Sequence, residues 1–387
     1  MKQLFCRTST ITFIIIALLG VFAPVIVGDT PHDIVGAPFS RPIWWKTSTL
    51  SSTHFYNVAE NGIQINWDKN APDIFNLTGK ITADKIARII WRTPQKDYII
   101  AEVTGETWLN IDGRDMIFKQ SLDLPLVGKS TEYLFPCSGS YSLSFSGAKS
   151  ADLRLSLYGA RNGLLGTDQR GRDVFAMFIY GIRTSLIVGI AATLIASLLG
   201  MTLGLVSGYA GGLCDTIIMR IVDILLSIPT LPIMMVLAGI WGKGLWQLVL
   251  ILSVFSWMGT ARSVRSLVLT LRESPWVESL RALGAKRRYI LLHHLVPETA
   301  PLLLANIALG VPGAILAEAG VAFLGLSDPR LISWGRMLHE AHSFGAFTQG
   351  AWWLLLPPGI GIVTICLIFM DLGKYLEEII DPRLRAK

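Results

Sequence analysis

The sequence predicts a mainly α-helical membrane protein with six membrane-spanning helices and an all-β domain inserted between the first two. Three observations indicate this. The chain is 51% hydrophobic, only 16% charged, and has a mean hydropathy of +0.50, whereas about a quarter of a soluble domain is charged. Long apolar runs recur along it, and one polar stretch shows alternating apolar residues. The net charge of +6 comes from basic clusters beside the apolar runs, which is typical of membrane orientation signals and not of nucleic-acid binding.

The first apolar run, over residues 11–27, follows Lys2 and Arg7. At 1.5 Å per residue it crosses most of a hydrocarbon core of about 30 Å. A secretory signal peptide also begins with a basic segment, but no small-x-small cleavage site follows and Pro24 lies inside the run. We therefore expect residues 1–28 to form a cytoplasmic N-terminus and a retained first helix.

Residues 29–161 differ sharply in character from the rest. Ile63, Ile65 and Trp67 alternate with polar residues, as do apolar residues near positions 110, 143 and 155, and Asn-Gly and Asp-Gly pairs separate such runs. Alternation with a period of two is typical of half-buried antiparallel strands. About 130 residues of this kind can close a small β-sandwich or barrel, so this segment is predicted to be an independent β domain.

Residues 162–387 contain the remaining five apolar segments, near 185–209, 217–241, 246–260, 302–326 and 352–370. Gly200, Gly204 and Gly208 are spaced four apart, which lets two helix backbones approach closely in lipid. Pro357 and Pro358 predict a kink in the last helix.

The polar loop over residues 271–298 separates two of these segments. Pro275 suits the first turn of a helix, Val277 and Leu280 fall on one helix face, and Gly284 can end the helix in a left-handed cap. Pro297 marks the entry to the next apolar segment. The loop is therefore predicted to carry a short amphipathic helix outside the bilayer, where another protein can bind it.

Basic residues set the expected orientation. They surround the 271–298 loop and fill the C-terminal tail, so both are predicted to face the cytoplasm, together with the N-terminus. Residues 29–183 are then largely extracytoplasmic. The cysteines are far apart and form no disulfide framework or metal motif; they are Cys6, Cys137, Cys214 and Cys366.

Three charged residues lie inside apolar segments. Glu318 at mid-membrane costs about 2.5–3.5 kcal/mol on insertion scales, so its side chain must face protein or water. It either lines a translocation path or fixes helix packing. Arg220 and Asp223, three residues apart, are expected to form a packing pair near the inner surface, with a path-lining role as the alternative.

No motif predicts covalent chemistry. His339-Glu340-Ala341-His342 is one residue short of the zinc-protease spacing, and no third ligand is identifiable. An amphipathic outer loop is the simpler interpretation. We predict no catalytic residue, no resident metal and no cofactor.

The combination of Glu278, Gly284 and Val296-Pro297 resembles the EAA loop of ABC importer permeases, with Ser279 and Leu280 in place of two alanines. The GTDQRGRDV run from Gly166, the AILAEAGVAFLGLSDP run from Ala314 and the DPRLR ending at residues 381–385 resemble the branch that imports dipeptides, oligopeptides or nickel. The resemblance covers about residues 166–385. The insert departs from the short loop usual in that branch.

This resemblance implies a type I ABC importer permease, the second of two unlike permease subunits, in a bacterial or archaeal cytoplasmic membrane. Two ABC ATPase subunits would bind the loop, and an external solute-binding protein would deliver solute. The implied ATPase-coupling residues are Glu278, Ser279, Leu280, Gly284, Ala285 and Pro297.

Two hypotheses accompany this expectation. The insert would dock the binding protein or cover the outer mouth. The competing class is a membrane-anchored receptor or sensor in which the β domain binds ligand and the helices serve as an anchor; an intramembrane hydrolase is a distant third.

Overall fold

The computed structural model describes residues 2–28, 31–44, 53–67, 71–126, 128–159 and 162–380. The C-terminal run at residues 381–385 and the basic tail lie outside these residues. The chain divides into two compact units. One comprises Met1–Thr30 with Ala176–Lys387, and the other comprises Pro31–Phe175.

The N-terminal apolar run forms two helices, α1 (Lys2–Val21) and α2 (Ala23–Val27). Pro24 lies in the first turn of α2, and Gly28 ends it with a φ of 70°. Proline has no N–H to donate, and its ring clashes with the carbonyl four residues earlier, which here belongs to Gly20. The run predicted as one helix is therefore broken at Phe22.

The second unit is built on one antiparallel sheet of six strands, in the order β1-β6-β3-β5-β2 with β4 also paired to β3. Two short helices interrupt it, so the unit is mainly β and not all-β as predicted. Its elements are β1 (His54–Val58), β2 (Ile63–Trp67), β3 (Ile74–Arg92), β4 (Asp97–Asp112), α3 (Met116–Ser121), α4 (Thr131–Leu134), β5 (Gly139–Ser146) and β6 (Ser150–Tyr158).

The alternation in the sequence matches the buried face of this sheet. Ile65 and Trp67 are buried, while Gln64 and Asn66 between them are exposed. Trp91 of the long central strand β3 is fully buried and its indole N–H donates to the carbonyl of Leu134 (3.0 Å). Burying the apolar face of each strand contributes about 25 cal/mol per Å², which explains why alternation locates the strands.

The two ends of this unit are hydrogen-bonded to each other. The N–H of Ile43 donates to the carbonyl of Gly163 (3.1 Å), and the N–H of Asn162 donates to that of Arg41 (2.9 Å). The chain therefore enters and leaves the sheet at one place. We call the paired segments 34–43 and 162–173 the base of the insert.

The base includes the Gly-Thr-Asp motif. Val35 and Gly36 both donate their N–H groups to the carbonyl of Gly171 (2.8 and 3.0 Å), and the N–H of Ser40 donates to Oγ1 of Thr167 (2.8 Å). These contacts join residues about 130 positions apart. They place the motif in the second unit, which runs to Phe175, whereas the sequence suggested a boundary near residue 161.

The first unit continues as a bundle of helices. They are α5 (Val174–Ala210), α6 (Gly212–Ser227), α7 (Thr230–Trp241), α8 (Leu245–Arg272), α9 (Pro275–Ala282), α10 (Arg287–Ile290), a π-helical turn (Leu291–Leu295), α11 (Val296–Phe323), α12 (Trp334–Ser343), a 3-10 turn (Trp352–Leu354) and α13 (Leu356–Ile380).

Four helical stretches among the described residues are long and apolar enough to cross a membrane: Val174–Ala210, Leu245–Arg272, Arg287–Phe323 and Trp352–Leu376. The pair α6 and α7 passes the same test together but is bent by 91°, which raises the number to at most five. The apolar part of α1, Ser9–Val21, is shorter. The prediction of a mainly helical membrane protein is confirmed. The predicted six spans are found only in part, because at most five stretches of the described residues pass this test.

Two details of the predicted spans are wrong, and proline is the reason in both. The segment predicted as one helix over 217–241 breaks at Ile228, which is extended (φ −90°, ψ 133°) because Pro229 follows it. Pro357 and Pro358 do not kink the last helix. They lie in the first turn of α13, where a missing N–H has no helical partner to lose.

The glycines of α5 pack against α8, as their spacing predicts. A Cβ on Gly200 would lie 2.6 Å from the carbonyl oxygen of Trp257, and one on Gly204 would lie 2.6 Å from that of Ala261. Gly208 approaches Val268 in the same way, at 2.9 Å. The two backbones are therefore too close for any side chain at these positions.

Candidate functional site

The most distinctive feature of the helical unit is the polar segment between α8 and α11. We call residues 274–297 the elbow. Helix α9 begins with Pro275 at its first position, after an extended Ser274. It ends in a Schellman motif: Gly284 has a φ of +81°, its N–H donates to the carbonyl of Arg281, and the N–H of Ala285 donates to that of Leu280 (both 3.0 Å). The predicted helix and its glycine cap are thus present.

One face of α9 is anchored in the bundle. Val277 is fully buried, and Leu280 and Ala285 are partly buried beside it. The cluster that surrounds them is contributed by α5, α8, α10 and the π-helical turn before α11, and comprises Met201, Leu205, Val264, Val268, Ile290 and Leu295. Helix α9 is therefore packed against residues of three of the long apolar helical stretches.

The opposite face of α9 is open. Glu278, Ser279 and Ala282 are exposed, and the side chain of Leu283 is 84% exposed. The guanidinium of Arg281 lies over the ring of Tyr209, 5.5 Å from its centre. A polar cleft follows this face, lined by Tyr209, Ala210, Arg272, Glu273, Glu278, Arg281, Ala285 and Arg287. Helix α9 thus combines a buried anchor with an accessible outer face.

The second half of the elbow, residues 287–297, contains a feature that the sequence did not predict. Pro297 lies inside the continuous helical stretch Arg287–Phe323, two residues after the end of the π-helical turn. In an α-helix its ring would clash with the carbonyl four residues earlier, and a wider π-turn relieves such a clash. His293 within this turn stacks on Tyr289, with ring centres 4.7 Å apart.

The predicted ion pair between Arg220 and Asp223 is not formed. Asp223 instead pairs with Arg262 of α8, both half-exposed, and Arg220 is exposed. Sequence spacing suggested a partner on the same helix, but α6 lies against α8 and presents Asp223 to it.

A second, more buried contact joins the same helices and was missed. Asp215 accepts two hydrogen bonds from the guanidinium of Arg265, each 2.5 Å long, and a third from the hydroxyl of Ser207 (2.5 Å). Such bidentate pairs fix orientation strongly. The sequence offered one signal for this contact, the Gly211-Gly212 pair that separates α5 from α6 just before Asp215. The partner residue Arg265 could not be inferred from it, because it lies 50 residues further along the chain.

Glu318 is buried within the bundle. It is 1% exposed in the isolated chain, and its Oε2 has no hydrogen-bond partner among the described residues. In this conformation the carboxyl faces packed helices of its own chain.

The His339–His342 segment lies in α12. His339 Nδ1 contacts the carbonyl of Phe323 (2.6 Å), and Glu340 pairs with Arg336 (3.1 Å). Among the residues that the structure describes, no three His, Cys, Asp or Glu side chains form a group suited to a metal ion. The helix is amphipathic and its buried face packs on α11 and α13.

Known proteins resemble the C-terminal part of this chain. Residues 200–386 match the family described as binding-protein-dependent transport system inner membrane component. The dipeptide transport system permease protein DppC of Bacillus subtilis is 38% identical over 221 residues, which are 57% of this chain and 68% of that protein. The oligopeptide transport system permease protein OppC of the same organism is 37% identical, over 57% of this chain and 72% of that protein.

Two further proteins are similar to this chain. The glutathione transport system permease protein GsiD of Pectobacterium atrosepticum is 34% identical, over 57% of this chain and 73% of that protein. A solved inward-facing structure of the MetNI methionine ABC transporter is 17% identical, with a TM-score of 0.43, over 54% of this chain and 97% of that chain.

Proposed function

This chain belongs to the family of binding-protein-dependent transport system inner membrane components, the permease subunits of ABC importers, and from that premise we propose that its elbow couples ATP hydrolysis to peptide uptake. The peptide class rests on relatives named as dipeptide and oligopeptide permeases. The chain is a transport subunit and not an enzyme. It acts with ATPase subunits and a solute-binding protein, and the receptor interpretation is not favoured.

The observation that carries the proposal is the two-sided burial of α9. Val277 is fully buried in a cluster that reaches three spans, while Glu278 and Leu283 face outward. A partner that binds the outer face can therefore move the spans through the inner one. The coupling residues are Glu278, Ser279, Leu280, Gly284, Ala285 and Pro297.

We propose that the subunit has six spans of the type I importer arrangement, with α1 as the first and the bent α6–α7 pair as the third. Basic residues around the elbow favour a cytoplasmic location for it and for both termini, so that residues 29–183 are largely extracytoplasmic. The assembly is a heterodimer with a second permease subunit and two ATPase chains. Asp223 with Arg262 serves helix packing near the inner surface.

Cross-linking tests the elbow's role. A cysteine placed at Ser279, in a chain otherwise free of cysteine, is expected to cross-link to an ATPase subunit in membranes, because Ser279 is exposed on the outer face of α9. Ser343 of α12, also exposed, provides the control position at the other end of the bundle and should give no such product. Cross-links from Ser343 alone, or from neither position, would overturn the assignment.

Purification of the tagged chain should also recover a second permease and ATPase chains, whereas a receptor would be recovered without ATPases.

We further propose that the β-rich insert contributes to docking of the solute-binding protein. The base supports this. Its two segments, before residue 44 and after residue 162, are hydrogen-bonded to each other, and the β-rich part of the chain is inserted between them. An addition made at such a point leaves the connection intact, so the insert is free to carry a separate binding task.

Deleting residues 45–161 and joining Trp44 to Asn162 through a short Gly-Ser turn tests this proposal. The variant should reach normal membrane levels, because the contacts of Ile43 with Gly163 and of Gly36 with Gly171 are retained. Uptake is expected to fall, with at least a tenfold rise in the Kd for the binding protein. The deletion must start after the base, because a longer deletion of residues 31–160 would also remove the 34–43 side of the base. Unchanged uptake and unchanged affinity in the 45–161 deletion would refute docking by the insert.

A further inference from the structure

The β-rich unit contains one long strand with an unpaired edge. Strand β3 is hydrogen-bonded on one side to β5 and β6 and on the other side to β4, whereas β4 pairs with β3 alone among the strands that the structure describes. Register shifts after Ala83 and Ile89 interrupt the β3–β4 ladder. Residues 76–83 remain in regular register with residues 105–112. We call residues 105–112 of β4 the free edge.

The free edge offers main-chain groups to an additional strand. In an antiparallel strand, successive residues direct their N–H and C=O groups to opposite sides, so every second residue of the free edge points away from β3. Proteins commonly protect such an edge with lysine, proline or a short strand. The free edge contains neither lysine nor proline, whereas β1 and β2 at the two ends of the sheet have only five residues each. An extended segment of another protein can therefore add to β4 as a further strand.

The side chains of the free edge supply an apolar contact and negative charge. Trp108 is 72% exposed, although its neighbour Leu109 is buried. Exposed tryptophan is a residue type on which binding energy often depends. Glu106 and Asn110, two residues before and after Trp108, are exposed on the same face of the strand. Strand β4 has no lysine or arginine, and its four carboxylates belong to Asp97, Glu102, Glu106 and Asp112.

The charge of β4 decides what kind of strand it can accept. Glu106 pairs with Lys80 of β3 and Glu102 pairs with Arg88 (2.7 Å), and both pairs are half-exposed. Such pairs are weak, and a carboxylate can accept from several donors at once, so a base on an added strand can share Glu106. A second copy of β4 would bring more carboxylates and no base, and like charges opposite each other destabilise strand pairing. The free edge therefore favours a basic strand over another copy of itself.

We propose that the free edge of β4 is the place where the insert docks the solute-binding protein, by accepting an extended, basic segment of that protein as a further strand. This rests on the docking role proposed above and specifies its chemistry. Main-chain hydrogen bonds attach the segment, Trp108 gives it an apolar contact, and Glu106 selects lysine or arginine. The occupant is the binding protein because residues 29–183 are proposed to lie outside the membrane, where that protein delivers solute.

Binding to the assembled importer in lipid nanodiscs tests the side chains, with the purified solute-binding protein of the same importer as the probe. Trp108→Ala is expected to raise the Kd about tenfold or more, because a central tryptophan contact is lost. Glu106→Lys should raise it similarly, because it repels a basic segment. Phe55→Ala on β1, 44% exposed, and Glu60→Lys in the exposed turn between β1 and β2 are the matched controls and should leave the Kd unchanged.

Proline variants test main-chain pairing separately. Thr107 and Asn110 lie opposite Ile81 and Thr78 in the regular register. Because they are three residues apart, their N–H groups point to opposite sides of β4, one into the ladder with β3 and one to the free edge. Proline removes the N–H but is tolerated on an unpaired edge. Of Thr107→Pro and Asn110→Pro, one should lower the thermal midpoint of the chain, and the other should keep it and raise the Kd about tenfold.

The proposal is overturned if Trp108→Ala, Glu106→Lys and the stable proline variant all keep the parent Kd while the 45–161 deletion binds weakly. That result would leave docking by another part of the insert in place. An unchanged Kd in the deletion as well would overturn both proposals. If both prolines lower the thermal midpoint, Trp108→Ala and Glu106→Lys decide by the same criterion. If these variants weaken binding of a fluorescent lysine-containing oligopeptide and not of the binding protein, the occupant is a peptide solute and docking at the free edge is refuted.

Discussion

Replacing Gly284 by proline is expected to reduce solute uptake at least about tenfold while the subunit stays in the membrane. Gly284 has a φ of +81° and donates its N–H to the carbonyl of Arg281. Proline fixes φ near −65° and has no N–H, and a misplaced proline costs about 3 kcal/mol or more. The Schellman motif is lost, and on the coupling role proposed above the exposed face of α9 would no longer meet the ATPase in its original direction. Uptake and ATP hydrolysis by membrane vesicles, compared at equal subunit amounts, measure the effect.

Two further variants make this prediction specific. Gly284→Asn should retain most uptake, because asparagine tolerates the left-handed conformation and keeps its N–H. Glu278→Lys reverses the charge of an exposed residue that we propose contacts the ATPase, without disturbing Val277, and should lower uptake while ATP hydrolysis continues. Normal uptake by both Gly284→Pro and Glu278→Lys at normal subunit levels would contradict a coupling role for the elbow.

Replacing Gly204 by leucine is expected to prevent stable assembly of the helical unit. Even a Cβ at this position would lie 2.6 Å from the carbonyl oxygen of Ala261 and 2.9 Å from the side chain of Val264. The obstacle is backbone, so α5 and α8 must separate, and the hydrogen bonds and ion pair of Asp215 with Ser207 and Arg265 are weakened with them. Overpacking of this kind costs about 1–3 kcal/mol or more. The thermal midpoint in detergent and the amount of subunit in membranes should both fall.

Alanine variants provide the control for this prediction. Gly259→Ala, on α8 where an added Cβ meets nothing within 4 Å, should leave the thermal midpoint unchanged or raise it slightly, since alanine favours helices by up to about 1 kcal/mol. Gly204→Ala should lower it. Equal midpoints for Gly204→Ala and Gly259→Ala would show that the close approach of α5 and α8 is not required.

Much of the site could be predicted because it depends on local signals. Pro275, Gly284 and the apolar positions between them define α9 within ten residues, and each acts on backbone geometry that its neighbours already specify. The partner of Asp223 could not be predicted in this way. Helical spacing favoured Arg220, but Arg262 on another helix forms the pair, and the choice depends on how α6 lies against α8.

Beyond the family resemblance that indicated a permease, the sequence by itself determined that this is a membrane protein with a β-rich insert, where four of its six strands lie, and which short helix carries a glycine cap. These follow from hydropathy, from a period of two and from the backbone preferences of proline and glycine, all of which act over a few residues. Only the tertiary structure decided that the 217–241 segment bends by 91°, that the base joins residues near 40 to residues near 167, and that Glu318 is enclosed between helices. Each of these depends on groups far apart in the chain, whose meeting is set by the packing of whole helices and strands.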